Sequence, residues 1–208
     1  MLNNGAKEAI LQATLDTIAE NSISNTSMQM IAQRAGMRQP NLHYYFNTKR
    51  ELLLQLMEWM QRHYDTLIDR YVNEQQTLEG KLQGFFEQEM YVMEHESAYT
   101  KASLDLWGLG QSDAQIRAHY AQGYAIWRGR ISSVIGDFLP TLAPGLCDTA
   151  ASMLISMVMG AQIQYLSDPD AFALRNYMEC CQEELLQMLN RYAENPGSDQ
   201  NGMRDSAQ

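Results

Sequence analysis

The stretch from Thr26 to Glu51, TSMQMIAQRAGMRQPNLHYYFNTKRE, decides the fold of this chain. Thr26 and Gln29 fit a capping box, in which the side chains at the N-cap and N3 positions satisfy each other's unpaired backbone donors. Thr48 and Glu51 have the same spacing and predict the start of another helix. Between the two boxes lies Gly36, the residue type that most readily takes the positive φ that ends a helix. The stretch therefore predicts two short helices joined by a tight turn, a helix-turn-helix, with a longer third helix behind it.

The second short helix has one apolar side and several polar ones. Pro40 falls in its first turn, where a backbone N–H has no partner within the helix and proline is tolerated. Leu42 and Phe46 are four residues apart and predict an inward face. The rest of this helix is ringed by Gln39, Asn41, His43, Tyr44 and Tyr45.

This run resembles the DNA-binding domain of the TetR (tetracycline repressor) family of transcriptional regulators. The family pattern is a capped helix ending I-A-x-x-A-G, an apolar residue, a recognition helix closing on L-Y-x-[HY]-F, and then K-x-x-L. The motif covers about a quarter of the chain, and the residues that match it are Ile31, Ala32, Ala35, Gly36, Met37, Leu42, Tyr44, Tyr45, Phe46, Lys49 and Leu52. Two positions depart from the pattern. His43 stands where the family usually has a tyrosine that touches a phosphate, and Arg38 stands where a small capping residue is common.

The resemblance places the DNA contacts at the start of the second motif helix. We expect Gln39 and Asn41 to approach base edges, because an amide side chain can pair with adenine through two hydrogen bonds. Pro40 is expected against a thymine methyl group or a sugar. His43, Tyr44 and Lys49 are expected to hold phosphates, which fixes register without reading sequence. The full set of predicted DNA-binding residues is Thr26, Arg38, Gln39, Pro40, Asn41, His43, Tyr44 and Lys49.

The charge of the chain is distributed unevenly. Its 208 residues predict one or two domains, and its formal net charge of -10 argues against a nonspecific nucleic-acid binder. Residues 1–50 nevertheless carry five basic and three acidic side chains, a balance of +2, which leaves -12 for the remainder. We call residues 1–50 the head and the remainder the body. A weakly basic head on an acidic body favours oriented docking on phosphates.

Helical signals continue through the rest of the chain. A first helix is predicted over 6–20, with Asn21 ending it, and a long helix over 49–73 is expected to link the head to the body as a rigid lever. Strand-type alternation is absent beyond Gly80, and the remaining helices are predicted at 81–96, 98–109, 113–138, 146–166 and 171–193.

These observations predict an all-α protein with two domains. An N-terminal three-helix helix-turn-helix DNA-binding domain is expected over 1–50, followed by a helical effector-binding and dimerisation domain over 51–194. The polar segment 195–208 is expected to be a disordered tail. No apolar leader follows Met1, and the apolar run 153–161 is too short for a bilayer of about 30 Å, so a cytoplasmic protein without a membrane segment is expected.

The last two predicted helices indicate a homodimer. Helix 146–166 has two apolar stripes and therefore needs cover on both sides. One stripe consists of Leu146, Ala150, Met153, Met157, Ala161 and Tyr165, and the other of Cys147, Ala151, Leu154, Ile155, Val158 and Leu166. Together with helix 171–193, a partner copy would complete a four-helix interface, which the family resemblance also implies. The alternative is the ordinary core of a monomer.

Aromatic and methionine residues in the body indicate a ligand pocket. The predicted lining consists of Tyr91, Trp107, Tyr124, Trp127, Met153 and Met157, and plain core packing is the alternative. The resemblance favours the pocket, because TetR-like bodies bind a small molecule that changes the spacing of the two heads. The ligand is expected to be apolar or aromatic, and neutral or weakly cationic.

Motifs of enzymes and metal sites are missing from the sequence. None of the four histidines begins H-E-x-x-H or ends Glu-x-x-His, and neither a phosphate-binding glycine loop nor G-x-S-x-G occurs. Cys180 and Cys181 diverge on a helix and are interpreted as buried structural thiols, with a redox or metal sensor as the alternative. No enzyme activity, metal or cofactor is therefore predicted.

The predicted function is that of a sequence-specific DNA-binding transcriptional regulator, a repressor that a small-molecule effector releases from double-stranded operator DNA. A helical small-molecule sensor without DNA binding is one alternative, and a helical enzyme is another. The operator, the effector and the regulated genes do not follow from the sequence.

Overall fold

The computed structural model describes residues 4–194, so the predicted tail 195–208 lies outside the described residues. The described chain is helical and contains no strand, which confirms the all-α prediction. In chain order the helices are α1 Asn4–Asn25, α2 Met28–Arg34, α3 Gln39–Tyr45, α4 Lys49–Ile68, a π-helical turn Asp69–Asn73, α5 Leu78–His95, α6 Ser97–Gly110, α7 Ala114–Phe138, α8 Pro144–Ser167 and α9 Leu174–Glu194.

Two predicted helices end differently in the structure. The first helix extends past Asn21 to Asn25 across a kink at Ser22, whose φ is 66° and ψ 161°. Ser22, and not Asn21, therefore carries the positive φ. The fourth helix is α-helical only to Ile68, and the next five residues form a π-helical turn. The predicted lever 49–73 is thus not one continuous α-helix.

The chain divides into two compact units. The first contains the residues up to Leu67 together with Tyr91–Tyr124, and the second contains Ile68–Met90 together with the chain from Ala125 onward. This division does not coincide with the predicted boundary after residue 50, because α6 packs against α1 in the first unit. Helices α5 and α7 each contribute residues to both units.

The first unit has an apolar core built by five of its helices. α1 packs against α2 as well as α6, and α2 packs against α3. The buried side chains that these helices and α4 share include Ile10, Leu15, Ile18, Ile31, Leu42, Phe46, Leu52, Leu56 and Leu106. Burial of side chains of this size contributes about 1.5–3 kcal/mol each, so this core fixes where the helix-turn-helix lies on α1 and α4.

The second unit contains the most apolar helix, α8, which packs against α9. By length and composition alone α8 could cross a membrane, with a mean hydropathy of 1.4 over 18 residues. The run 153–161, predicted to be too short for a bilayer, is the middle of this longer helix. A core helix of a water-soluble protein has the same composition, and α8 buries Cys147, Ala151, Leu154, Ile155 and Val158 within its own chain.

A close approach in the second unit depends on Gly84 in α5. A Cβ atom at this position would lie 2.2 Å from the carbonyl oxygen of Tyr71 and 2.8 Å from its carbonyl carbon, distances that a methyl group cannot adopt. Gly84 therefore lets α5 pack directly on the backbone of the π-helical turn.

Three polar side chains are buried in the second unit. Gln88, Glu89 and Gln162 are 2%, 4% and 4% exposed, and the Nε2 of Gln162 donates to Glu89 Oε2 at 3.1 Å. Burial raises the pKa of the Glu89 carboxyl to about 7, although the Gln162 hydrogen bond favours the charged form. The folded chain thus binds this proton more tightly than the unfolded chain, in which a glutamate titrates near its ordinary pKa of about 4.3.

We expect stability to fall as the pH rises from about 4.5 to 7, because the unfolded state releases the Glu89 proton at lower pH than the folded state does. The loss is about 3 kcal/mol in the free energy of unfolding for a shift of this size. Glu89→Gln should remove the loss, whereas Glu79→Gln, at an exposed position of the same helix, should keep it. Urea unfolding at pH 5 and pH 8 measures the difference. An equal decrease in Glu89→Gln and the parent would contradict the assignment.

Candidate nucleic-acid interface

The turn between α2 and α3 has the hydrogen bonds of a Schellman motif. Gly36, with φ of 68°, donates its N–H to the Gln33 carbonyl at 3.1 Å, and Met37 donates to the Ala32 carbonyl at 2.9 Å. These two bonds satisfy carbonyls at the end of α2 that otherwise have no partner in the helix. The chain then runs extended at Arg38, with φ -83° and ψ 147°, and α3 begins at Gln39.

One face of helix α3 is buried and the opposite face is exposed. Leu42 and Phe46 are fully buried, which anchors its inner face as the sequence predicts. Six of the eight predicted contact residues are exposed in and just before this helix: Arg38, Gln39, Pro40, Asn41, His43 and Tyr44. The side chain of Tyr44 is 74% exposed, and Gln39 Nε2 lies 3.3 Å from His43 Nε2.

An open depression adjoins the first turn of α3. It is lined by Gln29, Gln33, Gly36, Met37, Arg38, Gln39 and Asn41. No hydrogen bond or ion pair joins the Arg38 guanidinium to the described part of the chain. The depression therefore presents amide groups and one cation side by side, the groups that read base edges and hold phosphates. Gln29 and Gln33 are additional candidates, and their spacing of four on an exposed helix face was the signal that could have identified them.

Thr26 does not occupy its predicted place. It is 3% exposed, and its hydroxyl donates to the Ser22 carbonyl at 2.7 Å. The N-cap of α2 is the next residue, Ser27, whose hydroxyl accepts from the Met30 N–H at 3.2 Å. Two hydroxyl side chains in succession compete for the cap, and the buried one bridges the kink in α1. The capping box of Thr26 with Gln29 is therefore wrong, and the DNA contact predicted for Thr26 stays a prediction, for a side chain that is buried here.

Lys49 is also engaged inside the chain. Its ammonium donates to the carbonyl oxygens of Ile23 and Thr26, and the backbone N–H of Ile23 donates to the carboxylate of Asp105 in α6. Burial lowers the pKa of Lys49, while the nearby Asp105 acts to raise it. An ammonium has three donors, and two of them are used here. The structure therefore assigns Lys49 to holding α4 against the end of α1, and the predicted phosphate contact stays a prediction.

The start of α4 has the second predicted capping box. The N–H of Glu51 donates to the Thr48 hydroxyl at 3.1 Å. Glu51 Oε2 accepts from the N–H of Asn47 at 2.9 Å, one residue earlier than the pattern predicts. Next to it, Arg50 Nε donates to Asp113 Oδ2 at 2.7 Å. Burial acts to raise the pKa of Asp113, but hydrogen bonds from the Ile116 and Gln115 backbone and from Arg50 together lower it.

The predicted pocket residues are divided between the two units. Tyr91, Trp107 and Tyr124 lie in the first, and Trp127, Met153 and Met157 lie in the second. Trp107 is 48% exposed, whereas the other five are half-buried. Tyr91 stacks on His95 with ring centroids 5.0 Å apart, and Tyr124 lies 5.9 Å from Tyr120.

Residues 4–194 contain no group of three or more His, Cys, Asp or Glu side chains that could hold a metal ion. The chemistry that this surface offers is hydrogen bonding from exposed amides and one free guanidinium. A helix-turn-helix that presents such groups at the start of its second helix is the architecture of a DNA-binding protein that reads sequence.

Comparisons with known proteins agree with this class. Residues 10–56 match the family model described as bacterial regulatory proteins, tetR family. Residues 79–190 match that of the C-terminal domain of BetI-type transcriptional repressors. A search of curated proteins found no match. The chain belongs to the TetR family and is a DNA-binding transcriptional regulator.

Solved structures of other regulators have the same fold. A transcriptional regulator from Rhodococcus sp. Rha1 superposes with a TM-score of 0.76 at 17% identity, covering 89% of this chain and 96% of its own. A regulator from Saccharomonospora viridis in complex with choline gives 0.74 at 20% identity, covering 93% and 97%. FadR from Bacillus subtilis in complex with stearoyl-CoA gives 0.73 at 18% identity, covering 86% and 96%.

We expect Lys49→Ala to destabilise the first unit. The carbonyls of Ile23 and Thr26 would lose a charged donor, and a lost hydrogen bond to a charged group costs about 1.5–3 kcal/mol. Thermal unfolding followed by circular dichroism measures the loss. The matched control is Lys101→Ala, which removes an exposed lysine of α6 and should leave the melting temperature nearly unchanged. Equal melting temperatures for Lys49→Ala and the parent would show that the ammonium does not hold this corner.

Proposed function

We propose that this protein is a cytoplasmic, homodimeric repressor that leaves its operator when a small apolar or aromatic ligand binds to its body. The observation that carries the proposal is the exposed polar first turn of α3, set on the buried side chains of Leu42 and Phe46. This function is favoured over a sensor without DNA binding, because the head keeps a surface suited to DNA. It is favoured over an enzyme because the family consists of regulators.

The proposed DNA contacts are those of the exposed set. Gln39 and Asn41 read base edges, Pro40 lies against a thymine methyl group or a sugar, and Arg38, His43 and Tyr44 hold phosphates. The free guanidinium of Arg38 supports its role, since it loses no partner within the described chain when it binds a phosphate. In a dimer the two heads would read half-sites about one helical turn, or a multiple of it, apart.

We expect Arg38→Ala to weaken every operator to a similar extent and to reduce the salt slope by about one, because one phosphate contact is lost. Gln39→Ala should instead relax preference at one base pair by about 1–3 kcal/mol. Gel shifts over a salt series, using fragments that the protein retains from its own genome, measure both effects. Arg62→Ala, at an exposed position about 20 Å along α4 from Lys49, is the control and should change neither. A salt slope that Arg38→Ala leaves intact would remove Arg38 from the interface.

The proposed dimer uses α8 and α9. The outer face of α8 has no charged residue between Asp148 and Asp168. The exposed or half-buried residues of α8 include Thr149, Ser152, Met153, Ser156, Met157, Gly160, Ile163 and Gln164, with Ile163 55% exposed. On α9 the neighbouring half-buried residues are Tyr177, Cys181 and Met188. A long uncharged face of small and apolar residues supports a partner copy that covers it.

Three small residues in the two predicted stripes of α8 cannot contact a partner. Ala150, Ala151 and Ala161 are fully buried within their own chain, so they are not available to a partner. Gly160 is half-buried, and a Cβ atom there would meet nothing within 4 Å. A partner helix could therefore approach α8 at Gly160.

We expect Gly160→Glu to dissociate the dimer at micromolar concentration without unfolding the chain. The Cβ of the new side chain would meet nothing within 4 Å in its own protomer, but in the interface the glutamate would bury an unpaired charge. Gly129→Glu in α7 is the matched control, because it introduces the same residue at an exposed glycine that also has nothing within 4 Å. Sedimentation velocity measures the mass of both variants. A monomeric parent protein, or a dimeric Gly160→Glu, would contradict the proposed interface.

The ligand is proposed to bind in the body, and of the predicted lining residues this proposal keeps Trp127, Met153 and Met157, which all belong to the second unit. Similar folds from Saccharomonospora viridis and Bacillus subtilis were solved with choline and stearoyl-CoA, which supports a body that accepts ligands with an apolar part. Half-buried methionine and aromatic side chains can adapt to such a part. Operator affinity measured with and without a candidate ligand tests the proposed release.

A further inference from the structure

The buried polar side chains of the second unit form a group of hydrogen-bond acceptors. Glu89 receives two amide donors, from Gln162 Nε2 at 3.1 Å and from Gln88 Nε2 at 3.4 Å. Because both amides donate their N–H groups to the carboxylate, the oxygen of each amide needs a hydrogen-bond donor from another group. Gln88 Oε1 and Gln162 Oε1 are both buried and have none. We name Gln88, Glu89 and Gln162 the acceptor cluster.

When Glu89 is ionised, the acceptor cluster carries an unbalanced charge. No lysine, arginine or histidine of the described chain forms an ion pair with Glu89. An isolated buried carboxylate is costly unless a cation lies beside it. Each buried oxygen without a donor adds a further cost in free energy. Unpaired polar groups of this kind in a folded protein call for an explanation, and a missing binding partner is one.

The chemistry of the missing partner follows from the three side chains. It must supply positive charge to the carboxylate and hydrogen-bond donors to the two amide oxygens. A hydroxyl group donates but leaves the charge unbalanced, and a quaternary ammonium balances the charge but has no N–H to donate. A primary or secondary ammonium, an amidine or a guanidinium does both.

The surroundings indicate what such a group is attached to. Phe85, Phe86 and Met90 lie on the same helix as the acceptor cluster and are buried, with exposures of 2%, 1% and 2%. They belong to the same compact unit as Gln88, Glu89 and Gln162. A ligand that places its cation at Glu89 therefore has an apolar or aromatic remainder to pack against these side chains.

We propose that the acceptor cluster receives the cationic N–H donor group of the effector, and that the effector is an amine, amidine or guanidine with an apolar or aromatic body. This inference rests on the proposed function, since it assigns the charged end of the ligand to the body that is proposed to bind it. It adds Gln88, Glu89 and Gln162 to the ligand site.

The test uses four probes with the same ring and different head groups. Benzamidine supplies charge and N–H donors, benzyltrimethylammonium charge alone, benzyl alcohol a neutral donor, and benzoate the opposite charge. Calorimetry at pH 8 measures the affinity of each for the full-length protein. We expect benzamidine to bind about tenfold or more tightly than the other three, because a hydrogen bond to a charged group is stronger than a neutral one.

Variants then locate the site. Glu89→Gln keeps the shape of the side chain and removes its charge, so benzamidine should bind it about tenfold or more weakly. Gln162→Met, of similar length without the acceptor, should also weaken benzamidine binding. Glu79→Gln, at an exposed position of α5, should bind benzamidine as the parent does. Circular dichroism spectra of all three should match the parent and show that they are folded.

Two results would overturn the proposal. One is equal affinity of the parent and Glu89→Gln for benzamidine, which would place the cation elsewhere. The other is equal affinity of the parent for benzamidine and benzyltrimethylammonium, which would remove the role of the amide oxygens. Gel shifts with the retained genomic fragments separate this test from that of the proposed function. A protein that binds DNA but not benzamidine loses only the ligand class, whereas one that binds benzamidine but no DNA keeps the site and loses the repressor function.

Discussion

The head of this protein depends on how the end of α1 is closed. The kink at Ser22 interrupts the helix, so carbonyls in the last turn need donors from elsewhere. The ammonium of Lys49 supplies them to Ile23 and Thr26, and the Asp105 carboxylate accepts the N–H of Ile23 from the other side. One short segment is thereby tied both to the start of α4 and to α6. Since α2 begins directly after it, the position of the helix-turn-helix follows from these bonds.

The sequence located the helix-turn-helix correctly but did not reveal the internal contacts of two of its polar side chains. The glycine turn, the proline in the first turn of α3 and the anchors Leu42 and Phe46 depend on local rules, and these rules decide local structure. The internal hydrogen bonds of Thr26 and Lys49 do not follow from local rules. The local sequence does not show whether a threonine beside a serine, or a lysine at the start of a helix, faces solvent or a neighbouring backbone. Only the packing of α1 against α6 distinguishes the two cases, and that contact joins residues far apart in the sequence.

The buried contacts of the body were also not predicted, although the sequence contains one indication that Glu89 is buried. Glu89 in α5 has Phe85, Phe86, Val92 and Met93 at the positions three and four residues away on either side. Those positions share its face of a helix, so a carboxylate there is surrounded by apolar side chains and is expected to be buried. The same rule identified the two stripes of α8. It did not determine which stripe would be covered by the chain itself, because both are equally apolar and the partner elements come from α9 and beyond.

A path along the chain joins the acceptor cluster to the end of α1. Glu89 lies in α5, which ends at His95, and the next residue, Glu96, is the N-cap of α6 and bonds to His63 of α4. Further along α6, Asp105 accepts the N–H of Ile23. A ligand shifts the equilibrium between two conformations of the protein only if it binds one of them more tightly than the other. A 100-fold difference in affinity corresponds to about 2.7 kcal/mol. The attraction between a cation and a buried carboxylate is strong, because little water surrounds the pair. The ligand's affinity can therefore differ substantially between two arrangements of this site. Glu96 alone separates α5 from α6 in the chain. The charge-assisted hydrogen bonds of Asp105 and Lys49 to Ile23 hold the segment that precedes α2, where the helix-turn-helix begins.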